Sequence, residues 1–136
     1  MKARRGFTLI ELLVVIMIIG MLTTIVGPRL MGQLHRSESA TARAQLDALD
    51  KALQAFRVDM GRYPTDSEGL RALVAAPATN DPRWKGPYLS NELPLDPWGS
   101  PYAYRARSAG MKDYDLFSLG RDRAPGGQGD DADVIR

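Results

Sequence analysis

The sequence predicts an α+β chain: one long N-terminal helix, its first half membrane-spanning, packed on a small globular domain with a short antiparallel β-sheet and a C-terminal loop. Three observations carry this. Residues 7–26 form an almost unbroken apolar run. Apolar residues then return at steps of three and four as far as Met60, the spacing of one helix face. Beyond Pro64 the chain becomes rich in Pro, Gly and aromatics, and ends in short segments that read as strands.

The first element is the apolar run. Lys2, Arg4 and Arg5 precede it in a six-residue leader, too short for an ordinary secretory signal with charged, apolar and cleavage regions in that order. A processing site therefore lies before the run. The twenty residues 7–26, at about 1.5 Å each, span roughly the 30 Å hydrocarbon core of a bilayer. The basic residues ahead of them place the N-terminus in the cytoplasm and Arg29 onward outside. Glu11 is the anomaly of the segment. An ionised side chain at the centre of a spanning helix costs roughly 2.5 to 3.5 kcal/mol, and such residues mark a partner or a pathway. On a helix Glu11 lies only about 6 Å from Phe7. The competing reading is that it snorkels to the interface and does nothing specific.

Gly27-Pro28 follows, and the helix is expected to continue through it, kinked or locally melted, against the alternative that it ends at Val26. Leu30 and Leu34, then Ala42, Leu46, Leu49, Leu53, Phe56 and Met60, form the apolar stripe, while Arg43, Asp47, Asp50, Lys51 and Arg57 occupy the other sides. The stripe reads as a packing face and not as a cofactor site. Gly61 supplies the stop, and Pro64 prevents resumption. A helix over residues 7–60 is roughly 80 Å long, more than a compact chain of this size can cover, so its first half needs lipid or other subunits.

Thr65-Asp66-Ser67-Glu68 offers caps for a short helix through Leu70, Leu73 and Val74, closed by Pro77. Residues 79–101 carry too many prolines to hold interior strands. Trp84, Tyr88, Leu89, Leu93, Leu95 and Trp98 are spaced through them, and the two tryptophans read as core anchors rather than ligand-stacking groups. Residues 102–105 and 114–119 read as two strands joined through Ser108-Ala109-Gly110, with Val134-Ile135 as a short edge strand.

Composition narrows the function. The formal charge of +2 rests on 18 basic and 16 acidic residues. Losing Lys2, Arg4 and Arg5 leaves 15 basic residues against the 16 acidic ones, so no basic field suggests nucleic-acid binding. About 110 residues outside the membrane suffice for one domain and not two. There is no cysteine, so no disulfide braces this exported part. His35 is the one histidine and reads as a surface residue, no motif places a nucleophile, and the acidic surround of Gly126-Gly127 repels phosphate. The chain is therefore expected not to be an enzyme.

One constellation suggests a metal. Asp122, Asp130, Asp131 and Asp133 flank the flexible Ala124-Pro125-Gly126-Gly127-Gln128-Gly129. Calcium takes six to eight oxygen ligands in a tolerant geometry. The spacing is not that of an EF-hand, and it leaves calcium and a solvated acidic turn as equal alternatives.

Gly6-Phe7-Thr8-Leu9-Ile10-Glu11 resembles the processing signal of type IV pilins and type II secretion pseudopilins. Gly61-Arg62-Tyr63-Pro64-Thr65, Gly86-Pro87-Tyr88-Leu89, Asp96-Pro97-Trp98-Gly99-Ser100-Pro101-Tyr102 and Ser118-Leu119-Gly120 resemble successive signatures of the major pseudopilin family of type II secretion systems, the protein G family. Nearly the whole chain is covered. Type IV pilins usually add a C-terminal disulfide loop, which this chain lacks.

The resemblance implies a pilin-like fold and a structural subunit of a periplasmic pseudopilus that drives export of folded proteins across the outer membrane. It implies cleavage after Gly6 by a prepilin peptidase, methylation of Phe7, and pairing of Glu11 with the Phe7 amine of a neighbouring subunit. The domains would be a cleaved cytoplasmic leader, 1–6; a transmembrane half-helix, 7–26; an amphipathic periplasmic half, 27–61; and a globular periplasmic region, 62–136. The implied partners are further copies of itself, minor pseudopilins, the peptidase, an inner-membrane assembly platform and, before assembly, membrane lipid, with no nucleic acid. The implied location is the inner membrane, single-pass, with the C-terminal domain periplasmic. Calcium would be held by Asp122, Asp130, Asp131 and the Leu119 carbonyl, with Arg121 and Arg123 placing positive charge beside it. The alternative is a type IV pilin or minor pilin whose globular domain captures DNA or adheres to a surface; filaments of this one protein on overproduction discriminate the two.

Overall fold

The computed structural model describes residues 6–90, 92–107 and 113–136, apart from the side chains of residues 26–31, 33–35 and 130. Two compact units are present, Met1–Arg36 and Ser37–Arg136.

The principal element is the 52-residue helix α1, Leu9–Met60. Its backbone stays helical through Gly27 and Pro28, so the alternative of an end at Val26 does not hold. A proline removes one helix hydrogen bond, whereas a break leaves up to four unpaired groups at each new end. Within the first unit the large apolar side chains are exposed, Phe7 at 82 % and Met21 at 70 %. Thr23 and Thr24 donate their hydroxyls back to the Ile19 and Gly20 carbonyls at 2.8 and 3.0 Å, which suits an apolar surrounding. Among the described residues no helix is long and apolar enough to cross a membrane. The described apolar side chains stop at residue 25, short of the full run to Val26 that the sequence holds.

In the second unit α1 buries the stripe expected of it: Ala42, Leu46, Leu49, Leu53, Phe56 and Met60 are all within 1 % of full burial. Leu30, Leu34 and His35 carry side chains outside the description. Gly61, at φ 73°, ends the helix in the left-handed conformation, its N–H donating to the Arg57 carbonyl at 2.8 Å.

The expected short helix is a 3-10 turn, Gly69–Leu73, and does not include Val74. So short a segment keeps the tighter i→i+3 pattern. The expected cap residues pair in the turn ahead of it: Glu68 accepts the Thr65 N–H at 2.8 Å, and Thr65 Oγ1 accepts the Glu68 N–H at 3.3 Å. Glu68, at the N-cap position of the 3-10 turn, makes no side-chain cap bond. The Arg62 guanidinium also grips both Glu68 oxygens, at 2.6 and 2.8 Å, and draws that carboxyl down to about 2. The stabilisation this pair adds is complete above the ordinary glutamate range and fades as pH falls towards 2.

Three strands form one antiparallel sheet in the order β1 (Ala103–Ala106), β2 (Tyr114–Ser118), β3 (Val134–Ile135). Ala103 lies opposite Phe117 and Ser118 opposite Val134. Three boundaries differ from expectation: β1 starts at Ala103 and ends at Ala106, each one residue later than expected, and β2 ends at Ser118. Tyr102 is drawn into the core with its hydroxyl on Gln45, so the ladder opens one residue later. Gly120, at φ 69°, turns the chain away, so β2 closes before Leu119. The expected connection at 108–110 falls outside the described residues.

In the Pro-rich stretch, Leu95 and Pro101 make an isolated bridge outside the named strands. Trp84 covers Gly86, where a Cβ would come within 2.5 Å of its ring, and donates its indole N–H to the Ala72 carbonyl at 2.9 Å. Trp98 donates to Glu38 at 3.1 Å. Both pack against the core as anchors.

Beside the apolar stripe runs a polar row. Glu38, Gln45, Asp50, Gln54 and Asp59 on α1 accept hydrogen bonds from Trp98, Tyr102, Tyr114, Tyr63 and Tyr88 respectively. Burial pushes the Tyr114 hydroxyl up, Asp50 reinforcing it, and burial takes Tyr102 up to about 12. These tips fix which turn of α1 meets which part of the domain, a choice that apolar contact alone leaves loose. Arg136 adds a contact to Asp47 at 2.9 Å. Leu53 is fully buried on the seam. Leu53→Ala is expected to lower stability by ~2–5 kcal/mol, measured by urea unfolding of the detergent-solubilised chain; a loss below about 1 kcal/mol would contradict the packing described.

Candidate functional site

Two places hold the functional candidates. The first is the entry to α1. Phe7 and Gly6 precede the helix, and Thr8 stands at its N-cap position. Thr8 Oγ1 accepts the Glu11 N–H at 3.3 Å, while Glu11 Oε2 accepts the Thr8 N–H at 3.0 Å and its hydroxyl at 3.1 Å. This is a capping box, and it places a carboxylate at the positive end of the helix dipole. The spacing Thr8-x-x-Glu11 was visible in the sequence. Reading Glu11 solely as an intramembrane charge overlooked it, and Thr8 with it. In the single chain the carboxylate is thus held by its own residue 8, so any neighbour must compete with two short-range donors.

The second place is the loop 119–133, which leaves β2 and returns to β3. Asp122 Oδ1 accepts the Ala124 N–H at 3.0 Å, closing a local turn in which Arg123 takes φ 58°. Gly126 and Asp133 pair twice: the Gly126 N–H donates to Asp133 Oδ2, and the Asp133 N–H donates to the Gly126 carbonyl, each at 3.0 Å. A 3-10 turn, Gly129–Asp131, completes the loop. Gly127 must be glycine, since a Cβ there would stand 2.2 Å from the Asp131 carbonyl oxygen.

The donor chemistry of this loop fits a hard cation. It offers carboxylate oxygens, and Asp133 Oδ1 is buried without a hydrogen-bond partner among the described residues. Asp131 contacts Arg121 at 3.3 Å, but both side chains are roughly half exposed. Such a pair is worth less than about 1 kcal/mol and does not bar a cation. The described side chains are not drawn together into a ready cluster: among the described residues no group of three or more His, Cys, Asp or Glu is placed to hold a metal. The Asp130 side chain lies outside the description. Arg123 points its guanidinium to the Trp98 carbonyl at 3.3 Å.

Comparison with known proteins agrees along the whole chain. Residues 29–136 match the family model described as type II secretion system protein G, and residues 1–27 match the prokaryotic N-terminal methylation motif. Proteins named type II secretion system core protein G are similar throughout. That of Klebsiella pneumoniae is 44% identical over 131 residues, covering 92% of this chain and 90% of the relative. That of Pseudomonas aeruginosa is 39% identical over 136 residues, covering 98% and 94%. The crystal structure of the major pseudopilin from the type 2 secretion system of enterohaemorrhagic Escherichia coli is 36% identical. It aligns with a TM-score of 0.63 over 79% of this chain and 93% of that one.

Proposed function

The chain belongs to the type II secretion system protein G family, and from this premise we infer that it is a structural subunit of the type II secretion pseudopilus, polymerising into a periplasmic filament that drives export of folded proteins across the outer membrane. The observation that carries the reading is the match from the methylation motif through the globular region, on a helix whose first unit leaves its large apolar side chains exposed. Such a surface calls for lipid before assembly and for other subunits after it. The alternative of an adhesive or DNA-capturing pilin is not favoured, since the relatives are core subunits and the chain without its leader has no basic excess.

In this reading residues 1–6 are removed after Gly6 by a prepilin peptidase, and Phe7 becomes the methylated N-terminus. Residues 7–26 then hold the subunit in the inner membrane as a single span, N-terminus cytoplasmic. Residues 27–61 continue the helix into the periplasm, and 62–136 form the globular region. Glu11 pairs with the Phe7 amine of a neighbour and sets the axial stagger; the capping box makes the carboxylate tolerable in lipid until then. Minor pseudopilins and the assembly platform complete the machine, and the role is structural rather than enzymatic. Calcium, held by the Leu119 carbonyl with Asp122, Asp130 and Asp131, supplies a divalent charge that ties the C-terminal loop together.

The test is to overproduce the protein with its assembly machinery, shear filaments from the cells and record their intact mass. Filaments of this one protein, starting at Phe7 and carrying one methyl group, are expected; Gly6→Leu should retain the leader and yield none. Wild-type filaments that still contain residues 1–6 would overturn the processing scheme, and a failure to polymerise alone would favour a minor subunit.

A further inference from the structure

Asp96 is a buried carboxylate, 4 % exposed, whose described hydrogen-bond donors are all neutral. Its Oδ1 accepts the Trp98 N–H at 3.1 Å and the Ser100 N–H at 2.7 Å, and its Oδ2 accepts the Ser118 hydroxyl at 2.6 Å. Ser118, fully buried at the end of β2, accepts in turn the Gly120 N–H at 3.1 Å. Leu119, whose carbonyl is the backbone ligand of the cation reading above, lies between these two residues. The turn 96–100 is fastened outward as well: Trp98 reaches Glu38 on α1 through its indole N–H, and its carbonyl accepts from Arg123, the residue after Asp122.

The direction of this relay is set by chemistry. The Gly120 N–H can only donate, so the Ser118 hydroxyl presents a lone pair to it and directs its own O–H to Asp96 Oδ2 as a hydrogen-bond donor. That amide is then held, and with it the peptide plane that also carries the Leu119 carbonyl. We propose that Asp96 and Ser118 are positioning residues for a divalent-cation site in the C-terminal loop, aiming the Leu119 carbonyl without touching the ion. The proposal rests on the calcium reading of the preceding subsection and explains why a loop with little apolar burial has one fixed entry. The same turn is also fastened to α1 through Trp98.

Asp96→Asn tests the direction of the relay. The asparagine carbonyl can still accept from Trp98 and Ser100, but its NH2 group replaces the acceptor that faces Ser118, leaving the hydroxyl between two donors. Calcium affinity of the detergent-solubilised full chain is measured by titration calorimetry. In parallel, hydrogen exchange at the Gly120 amide is followed in chelator, a readout that needs no bound ion. Asp96→Asn and Ser118→Ala are both expected to weaken calcium binding by about 10- to 100-fold, the usual scale for outer-shell groups, and to speed exchange at Gly120. Should Asp96→Asn not fold, Ser118→Ala, which removes only the hydroxyl, decides. Variants that bind within about twofold of a calcium-binding wild type overturn the positioning role alone. A wild type that takes up no calcium overturns the cation reading itself, and the proposal with it.

Discussion

In Glu11→Leu, membrane insertion and the fold of the Ser37–Arg136 unit are expected to survive while filament formation and secretion are lost. Removing a carboxylate from an apolar segment eases insertion, by roughly 2.5 to 3.5 kcal/mol on scales for the bilayer centre and less near an end. The substitution also dissolves the Thr8–Glu11 capping box, but a lost cap costs only ~0.5–2 kcal/mol and frays one turn. Neither effect reaches the second unit, whose core lies on Ala42 and the residues after it. What is lost is the charge that a neighbour's amine would meet in lipid. Glu11→Gln separates the two roles, since its side-chain oxygen can still accept from Thr8 while the charge is gone. It should therefore insert with its cap intact and still fail to assemble. Normal filaments from Glu11→Leu would show that the acid is a passenger.

Chelation is expected to lower the melting temperature of the wild-type chain by several degrees and to leave Asp122→Ala unaffected. A ligand that binds only the folded state stabilises it by about 1 kcal/mol at a fivefold excess over Kd, and a domain of this size moves roughly 4–8 °C per kcal/mol. The loop is where that energy matters. Residues 121–129 are all exposed, the chain there carries three closely spaced glycines, and no disulfide braces it. Without an ion the carboxylates of Asp131 and Asp133 rely on one half-exposed arginine and one backbone amide. This segment should open first. Asp122→Ala should also reduce secretion. A wild-type melting temperature that millimolar calcium does not move would mean that the acidic turn is merely solvated.

The long helix, its stop at Gly61, the three strands and the anchoring role of both tryptophans were legible in the sequence, because each rests on a local signal: a period, a breaker, a run. The entry capping box was equally legible as Thr8-x-x-Glu11, although a lone acid in an apolar run reads first as an intramembrane charge. The acidic loop was legible as composition only. Spacing could not say that Asp133 would pair with Gly126 and keep one oxygen without a partner among the described residues, or that Arg121 would lie against Asp131.

By itself, then, the sequence determined the architecture of α1 and the character of each half, since hydrophobic period and run length need no distant partner. Tertiary structure alone decided where that helix is seated. The seats are hydrogen bonds across large separations: Tyr114 on Asp50, Tyr102 on Gln45 and Trp98 on Glu38. A polar tip finds its acceptor only after the apolar stripe has collapsed and expelled water, and no pattern along the chain records which acceptor that will be.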